Sequence, residues 1–281
     1  MKIAILGATS EIAKDLIRSF LFDNTCECIL FARRPERVRV WQSQEGFSRH
    51  FLAQDISAFD STQNFDALIN FIGVGNPALA ADMGASILDV TASYDEKALN
   101  YLRNHPTCRY IFLSSGAVYG QNFDEPVTAN SLAILPVNNN QINNWYSIAK
   151  FYAEMRHRAL SDLSIIDLRI FNYISRHQDI DSRFLVTDII RTIKNRGTFT
   201  TSRSNFIRDY LSPSDFYQII MAVLNEKKTN CAIDCFTKAP IDKYSLLKSM
   251  NHEFGLIYKF DINFEKINVT GFKKNYYSTN H

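Results

Sequence analysis

The sequence predicts an α/β fold, a doubly wound parallel sheet joined to a smaller, discontinuous C-terminal lobe. Short β-branched runs that are apolar on both faces recur along the N-terminal half, the pattern of strands covered by helices on either side. Stretches with apolar residues at helical spacing separate those runs. The first run ends in Gly7, just before a helix-like segment, where a parallel βαβ unit needs a tight turn. A chain of 281 residues, 46% hydrophobic and 21% charged, has the apolar content for such a core and suits one domain with an appended lobe.

The first strand is expected at Ile3–Leu6 and the first helix at Glu11–Phe22. Cys28–Phe31 leads into a helix at Pro35–Gln42, and Gln54-Asp55-Ile56 follows the third strand-like segment. Ala67–Phe71, Tyr110–Leu113 and Ser164–Ile170 continue the sheet, with helices at Ile87–Arg103 and Tyr146–Leu160 between them. Right-handed crossovers then place helices on both faces. Beyond Phe171 the rhythm changes to a loop through Gln178-Asp179, a helix at Phe184–Lys194 and a strand-like piece at Thr198–Ser202. Ser212 is placed to cap a helix at Pro213–Asn225, with proline at its first position. A strand-like Cys231–Phe236, a helix at Tyr244–Phe254 and a polar tail follow. Residues 1–170 are thus expected to form the sheet domain and 171–281 the smaller lobe, with part of 206–236 returning to the sheet. Asn138–Asn144 reads as a polar loop, and Lys273-Lys274 as a solvated basic pair.

Charge and composition exclude several classes of function. Thirty-one basic against 29 acidic residues leave a net charge of +2, too little for a nucleic-acid-binding surface. No apolar run approaches the roughly 18–20 residues of a membrane helix. Met1-Lys2 enters the first strand directly, without the pattern of a signal peptide, so a cytoplasmic protein is expected. Cys26 and Cys28 share a strand face, and Cys231 and Cys235 bracket another strand. Neither spacing is that of a zinc site, which leaves buried thiols and no metal.

The first turn carries a dinucleotide signal. Gly7-Ala8-Thr9-Ser10-Glu11-Ile12-Ala13 is a run of mainly small residues, which lets a backbone approach a pyrophosphate at the positive end of the following helix, as in Rossmann folds. An ordinary βα turn would explain Gly7 alone. Where an NAD site usually places an acid after the second strand, this chain has Arg33-Arg34. Two guanidinium groups there suit a 2′-phosphate, so NADP(H) is the expected cofactor. Asp55 and Ile56 are placed near the adenine, and Phe71-Ile72-Gly73-Val74-Gly75 beside the middle of the cofactor.

Two segments carry the chemistry, Leu113-Ser114-Ser115-Gly116-Ala117-Val118-Tyr119-Gly120 at a strand end and Tyr146-Ser147-Ile148-Ala149-Lys150 opening a helix. Tyr146 and Lys150 lie one turn apart on one helical face. A free phenol has a pKa of about 10. A neighbouring ammonium, together with a nicotinamide's charge, favours the phenolate and makes Tyr146 a usable acid or base. Ser115 can donate to the same substrate oxygen. Taken singly, a Tyr-x3-Lys pair is common by chance.

Together these motifs resemble the extended branch of the short-chain dehydrogenase/reductase superfamily, the NAD-dependent epimerase/dehydratase family, and within it the NDP-4-keto-6-deoxyhexose reductases. The resemblance implies Ser115, Tyr146 and Lys150 as a catalytic triad, with Tyr146 and Lys150 also touching the cofactor. It places Phe171 by the nicotinamide, Gly116 beside the substrate, and Asn172 and Arg208, in Leu168-Arg169-Ile170-Phe171-Asn172 and Phe206-Ile207-Arg208-Asp209-Tyr210, on the substrate's diphosphate. It further implies a homodimer, a nucleotide-sugar substrate and a role in bacterial surface polysaccharide synthesis. Dehydratases of this branch follow the catalytic hydroxyl residue with Asp-Glu, whereas this chain has Gly116-Ala117, which cannot move a proton. The arginine pair and the short chain favour NADPH-dependent reduction of a 4-keto-6-deoxy sugar. A nucleotide-sugar 4-epimerase is the alternative, and a non-catalytic NADP(H) redox sensor the second. The chain departs from the family pattern at Asp89-Val90-Thr91, where an asparagine is usual, and at Tyr173–Asp181, which lacks Gly-Pro. Arg176 and His177 are expected at the surface.

Overall fold

The computed structural model describes residues 1–280 except 25, 48–49, 75–79, 81, 121, 137, 139–143, 183 and 263–272. The expected Gly75 and most of the asparagine-rich loop therefore lie outside the described residues.

Strands β1 (Lys2–Leu6), β2 (Glu27–Ala32), β3 (Leu52–Asp55), β4 (Ala67–Asn70), β5 (Arg109–Ser115) and β6 (Ile165–Ile170) alternate with helices α1 (Glu11–Asp23), α2 (Pro35–Gln44), α3 (Ser86–Asn104) and α4 (Trp145–Arg158). The chain beyond β6 adds α5 (Leu185–Lys194), β7 (Thr198–Thr201), β8 (Ile207–Arg208), α6 (Pro213–Asn225), β9 (Asn230–Cys235), β10 (Ile241–Asp242), α7 (Lys243–Phe254), β11 (Ile257–Phe260) and β12 (Asn275–Tyr276). The main sheet has seven strands in the order β3-β2-β1-β4-β5-β6-β9, and every pairing in it is parallel.

The strand periodicity explains the two faces. In β1, Ile3 and Ile5 join Leu16, Ile17, Phe20, Phe216 and Ile220 on the side of α1 and α6. Ala4 and Leu6 point the other way, to Ala98, Leu99, Tyr110 and Phe112 beside α3 and α4. Successive residues of a strand face opposite layers, so an unbroken apolar run fits only a sheet covered on both sides. Ser212 caps α6 by accepting from the Asp215 amide, with Pro213 in its first turn. Strand β9 returns to the sheet edge beside β6. Among the described residues, no helix is long and apolar enough to cross a membrane.

The C-terminal tail differs from the polar, solvated segment expected of it. Strand β11 pairs with β7, and β12 pairs with β8, which also pairs with β10. Backbone bonds hold the tail in place: Ile207 N to Lys274 O at 2.8 Å, Asn275 N to Phe123 O at 2.8 Å, and Val127 N to Tyr277 O at 3.0 Å. Lys273 is buried, at 5% exposure, and only Lys274 faces solvent. The tail has no apolar periodicity because its order comes from main-chain partners far away in sequence.

Candidate active site

Strand order reverses between β1 and β4, and the crevice at their C-terminal ends is where α/β sheets of this kind bind ligands. Gly7 turns the chain there at φ +82°, and a Cβ on it would lie 3.0 Å from both the Ile72 amide and the Phe71 carbonyl carbon. Only glycine allows the two loops to approach that closely. Helix α1 starts beyond Ser10, whose side chain makes no capping hydrogen bond, so the first-turn amides have no side-chain acceptor and suit an anion. Thr9 is exposed, and Ser10, Glu11 and Ile12 are half-buried along this rim. A dinucleotide's pyrophosphate fits such a cradle.

The neighbouring residues divide between cofactor side and core. Arg33 and Arg34 are exposed at the end of β2, with no ion pair between either and a carboxylate among the described residues. Asp55 is exposed and paired in register with Ala32. Its carboxylate accepts from the Ser57 amide at 2.8 Å, which holds it below the usual carboxylate range. The side chains of Ile56 and Phe71 are in the core, which leaves their backbone facing the crevice side of the sheet end. Gly73 is exposed.

The three residues expected to form the triad converge where β5 ends against α4. Strand β5 ends at Ser115, whose Oγ accepts from the Ala117 amide at 3.2 Å. The Ser115 hydroxyl reaches the Tyr146 phenol and favours its ionised form, while burial pushes that phenol above its ordinary value. Lys150 is buried. Its Nζ donates to Leu113 O at 2.6 Å and lies 4.3 Å from the centre of the Phe112 ring and 5.9 Å from that of Tyr146. A Cβ on Gly73 would lie 3.4 Å from the same Nζ, so the β4 loop, β5 and α4 meet at this amine. Burial lowers Lys150 to about 8, against the attraction of Asp95, Asp167 and Glu154. The effect expected from the lysine on the phenol is therefore not the one dominating here, since burial acts more strongly on both groups.

The residues expected on the substrate side come from the end of β5 and from beyond β6. Phe171 is buried and covers Gly116 so closely that a Cβ there would lie 2.4 Å from its ring. Asn172 Nδ2 donates to Asp209 O at 2.9 Å, tying the end of β6 to the β8 loop. Asp209 in turn accepts from the Thr237 amide and hydroxyl, so it shapes the loop. The Arg208 guanidinium lies 4.3 Å from the centre of the Phe206 ring and 5.8 Å from that of Tyr276. Lys273 Nζ lies 4.3 Å from the centre of the same Tyr276 ring. Neither cation has a carboxylate partner among the described residues, and burial lowers both, with Arg208 adding to the fall of Lys273 to about 7. Arg176 and His177 are exposed.

The sequence reading of Lys273 as solvated missed its place here, and Tyr276 and two buried networks carry no sequence signal that was read. His157 Nδ1 lies 2.6 Å from Asp167 and its Nε2 2.8 Å from Asp95. Asp95 accepts from the Tyr110 hydroxyl at 2.9 Å, and that hydroxyl accepts from Asn70, whose Oδ1 takes the Ile72 amide at 2.8 Å. On the other side, Ser114 donates to Glu154, Arg169 bridges Glu154 and Tyr119, and Tyr119 and Ser278 both donate to Asp234. The helical spacing of Tyr146, Lys150, Glu154 and His157 was the available signal for part of this. Nothing local marks Tyr276.

A family model, the NAD dependent epimerase/dehydratase family, matches residues 3–233. No curated protein matches the chain in sequence. Among solved structures, UDP-glucose 4-epimerase from Stenotrophomonas maltophila, with bound NAD and formylated UDP-arabinopyranose, superposes with a TM-score of 0.79 at 16% identity, covering 99% of this chain and 90% of that one. UDP-glucuronic acid 4-epimerase from Bacillus cereus, in complex with UDP-glucuronic acid and NAD, gives 0.76 at 17% identity over 99% and 90%. dTDP-glucose 4,6-dehydratase from Bacillus anthracis, in complex with NAD, gives 0.76 at 15% over 99% and 87%. These likenesses establish a shared fold.

Proposed function

The chain belongs to the NAD dependent epimerase/dehydratase family, and from that premise we propose that it oxidises and re-reduces a ring carbon of a nucleotide-linked sugar, with 4-epimerisation as the net reaction. The observation carrying this reading is the meeting of Ser115, Tyr146 and Lys150 with the β4 loop at Gly73. Solved 4-epimerases of UDP-sugars share the fold, which favours epimerisation over the ketoreduction that the sequence suggested first.

A nicotinamide dinucleotide held by the Gly7–Ile12 turn, Gly73 and Lys150 supplies hydride acceptance and return when bound. The protein's part is proton handling. Tyr146, as the phenolate that a bound nicotinamide's positive charge would favour, takes the proton of the sugar hydroxyl during oxidation and gives it back during reduction. Ser115 donates to the same oxygen as charge develops on it. Lys150, fixed by Leu113 O, holds its ammonium 5.9 Å from the centre of the Tyr146 ring. Arg208 and Lys273, free of carboxylates among the described residues, suit the substrate's diphosphate. Elimination of water is disfavoured because Phe171 leaves no room for an acid at Gly116.

The test is incubation of the protein and NAD with UDP-hexoses and UDP-pentoses, followed by proton NMR of the ring couplings. Appearance of the C4 epimer without net cofactor consumption supports the reading, and no conversion of any of them overturns it. Tyr146→Phe should cut kcat at least ~100-fold while leaving NADH binding, read by fluorescence, intact. A second reading, NADPH-dependent reduction of a 4-keto-6-deoxy sugar nucleotide, is favoured by the exposed Arg33 and Arg34 and would show as stoichiometric loss of NADPH absorbance.

A further inference from the structure

Ser115 has a second phenol beside it. Strand β12 brings Tyr276 in from the end of the chain, and its hydroxyl lies 3.3 Å from Ser115 Oγ. The Ala117 amide, which donates to Ser115 Oγ, also faces the Tyr276 oxygen. The ring is held on several sides, by Phe123 at 4.9 Å and Phe171 at 5.1 Å between ring centres and by the Lys273 ammonium at 4.3 Å. The tail around it is pinned by Ser278 Oγ donating to Asp234 at 2.7 Å and by main-chain bonds to Phe123 and Val127. Tyr276 is therefore a fixed part of the site.

A serine hydroxyl has one hydrogen to give and two lone pairs to share. At Ser115 the Ala117 amide takes up one lone pair. If Tyr276 donates to the other, the serine hydrogen is left for the oxygen shared with Tyr146. If the donation ran the opposite way, Ser115 would have nothing to offer that oxygen. Burial keeps the Tyr276 phenol protonated, so it has a hydrogen to give at any working pH. Donation into Ser115 also polarises its O–H and strengthens the next hydrogen bond in the chain.

We infer that Tyr276 is a positioning residue, which directs and polarises the Ser115 hydroxyl toward the oxygen handled by Tyr146. The inference rests on the proposed reading that Ser115 and Tyr146 share a substrate oxygen. Tyr276→Phe removes only the hydroxyl and keeps the packed ring. On a nucleotide sugar that the wild type converts, it should lower kcat about 10-fold with KM within about twofold, as expected for one hydrogen bond acting in the transition state. In a Ser115→Ala background the same change should cost nothing further. An equal loss in both backgrounds, a change confined to KM, or no loss at all overturns the inference.

A second readout needs no substrate. In NAD-loaded protein, the ultraviolet titration of Tyr146, assigned by its loss in Tyr146→Phe, should move upward by about half a unit in Tyr276→Phe. It should not move when Ser115→Ala is already present. An unmoved titration in Tyr276→Phe overturns the inference. A wild type that converts no nucleotide sugar but shows this Ser115-dependent shift overturns the proposed function and leaves the role of Tyr276 standing.

Discussion

Gly116 sits under the Phe171 ring, with space for a hydrogen and nothing larger. Gly116→Ala should therefore destabilise the protein by about 1–3 kcal/mol through overpacking, seen as a lower midpoint in urea at unchanged slope. Lys273 makes a different prediction at the same scale. Burial and the nearby Arg208 bring its ammonium down to about 7, so it loses charge as pH rises through that value. UDP affinity measured by calorimetry should fall between pH 6 and 8, by no more than about tenfold per pH unit for one linked proton. Lys273→Met should bind weakly throughout and lose that pH dependence. A basic pair in a polar tail looks solvated in the sequence, and only the aromatic surroundings of Lys273 show otherwise.

Helix α4 carries more than the Tyr-x3-Lys pair. Its inward face continues through Glu154 to His157, which is fully buried between Asp95 of α3 and Asp167 of β6. Arg156 and Arg158 hold the outer oxygens of the same carboxylates, Tyr110 donates to Asp95, and both acids also attract the Lys150 ammonium. Burial opposes the imidazolium, yet hydrogen bonds to Asp167 and Asp95 outweigh it and raise His157 to about 9. A raised cation stabilises the fold fully below its unfolded pKa of about 6.5 and ceases to do so as pH rises through about 9. His157→Gln should be less stable than wild type by on the order of 3 kcal/mol at pH 6, and the gap should narrow between pH 6.5 and 9 in paired thermal melts. Comparing the two proteins at each pH cancels the opposite trend from Lys150, whose depressed pKa makes the folded state gain stability as pH rises through about 8. The position of α4 was legible because its helical spacing is strong. The ion network was not, because its partners lie on other elements and become neighbours only when the sheet forms.

Across the whole molecule, the C-terminal tail is tied to α4 by a buried path. Ser278 meets Asp234, Asp234 meets Tyr119, and Arg169 joins Tyr119 to Glu154 on α4. A chain ending at residue 272 should keep its main sheet and dinucleotide binding, because neither rests on β12. Turnover should fall at least ~100-fold as Tyr276 and Lys273 are lost, with NADH fluorescence and circular dichroism confirming the retained domain. Survival of full activity would show that the tail only covers the site.

The sequence by itself determined the layered sheet, since two-faced apolar strands have no other stable setting. It also determined the turn at Gly7 and the pairing of Tyr146 with Lys150, because a turn and a helix face are set within a few residues. The tertiary structure decided that the Tyr276 phenol stands beside Ser115 and the Lys273 amine beside the Tyr276 ring. Tyr276 and Lys273 are brought there by main-chain bonds to β8 and to the segment around Phe123, contacts whose partners are far apart along the chain and carry no local pattern. It decided the charge states too, because burial acts on Lys150, Tyr146 and Lys273 only after the surrounding layers have closed over them.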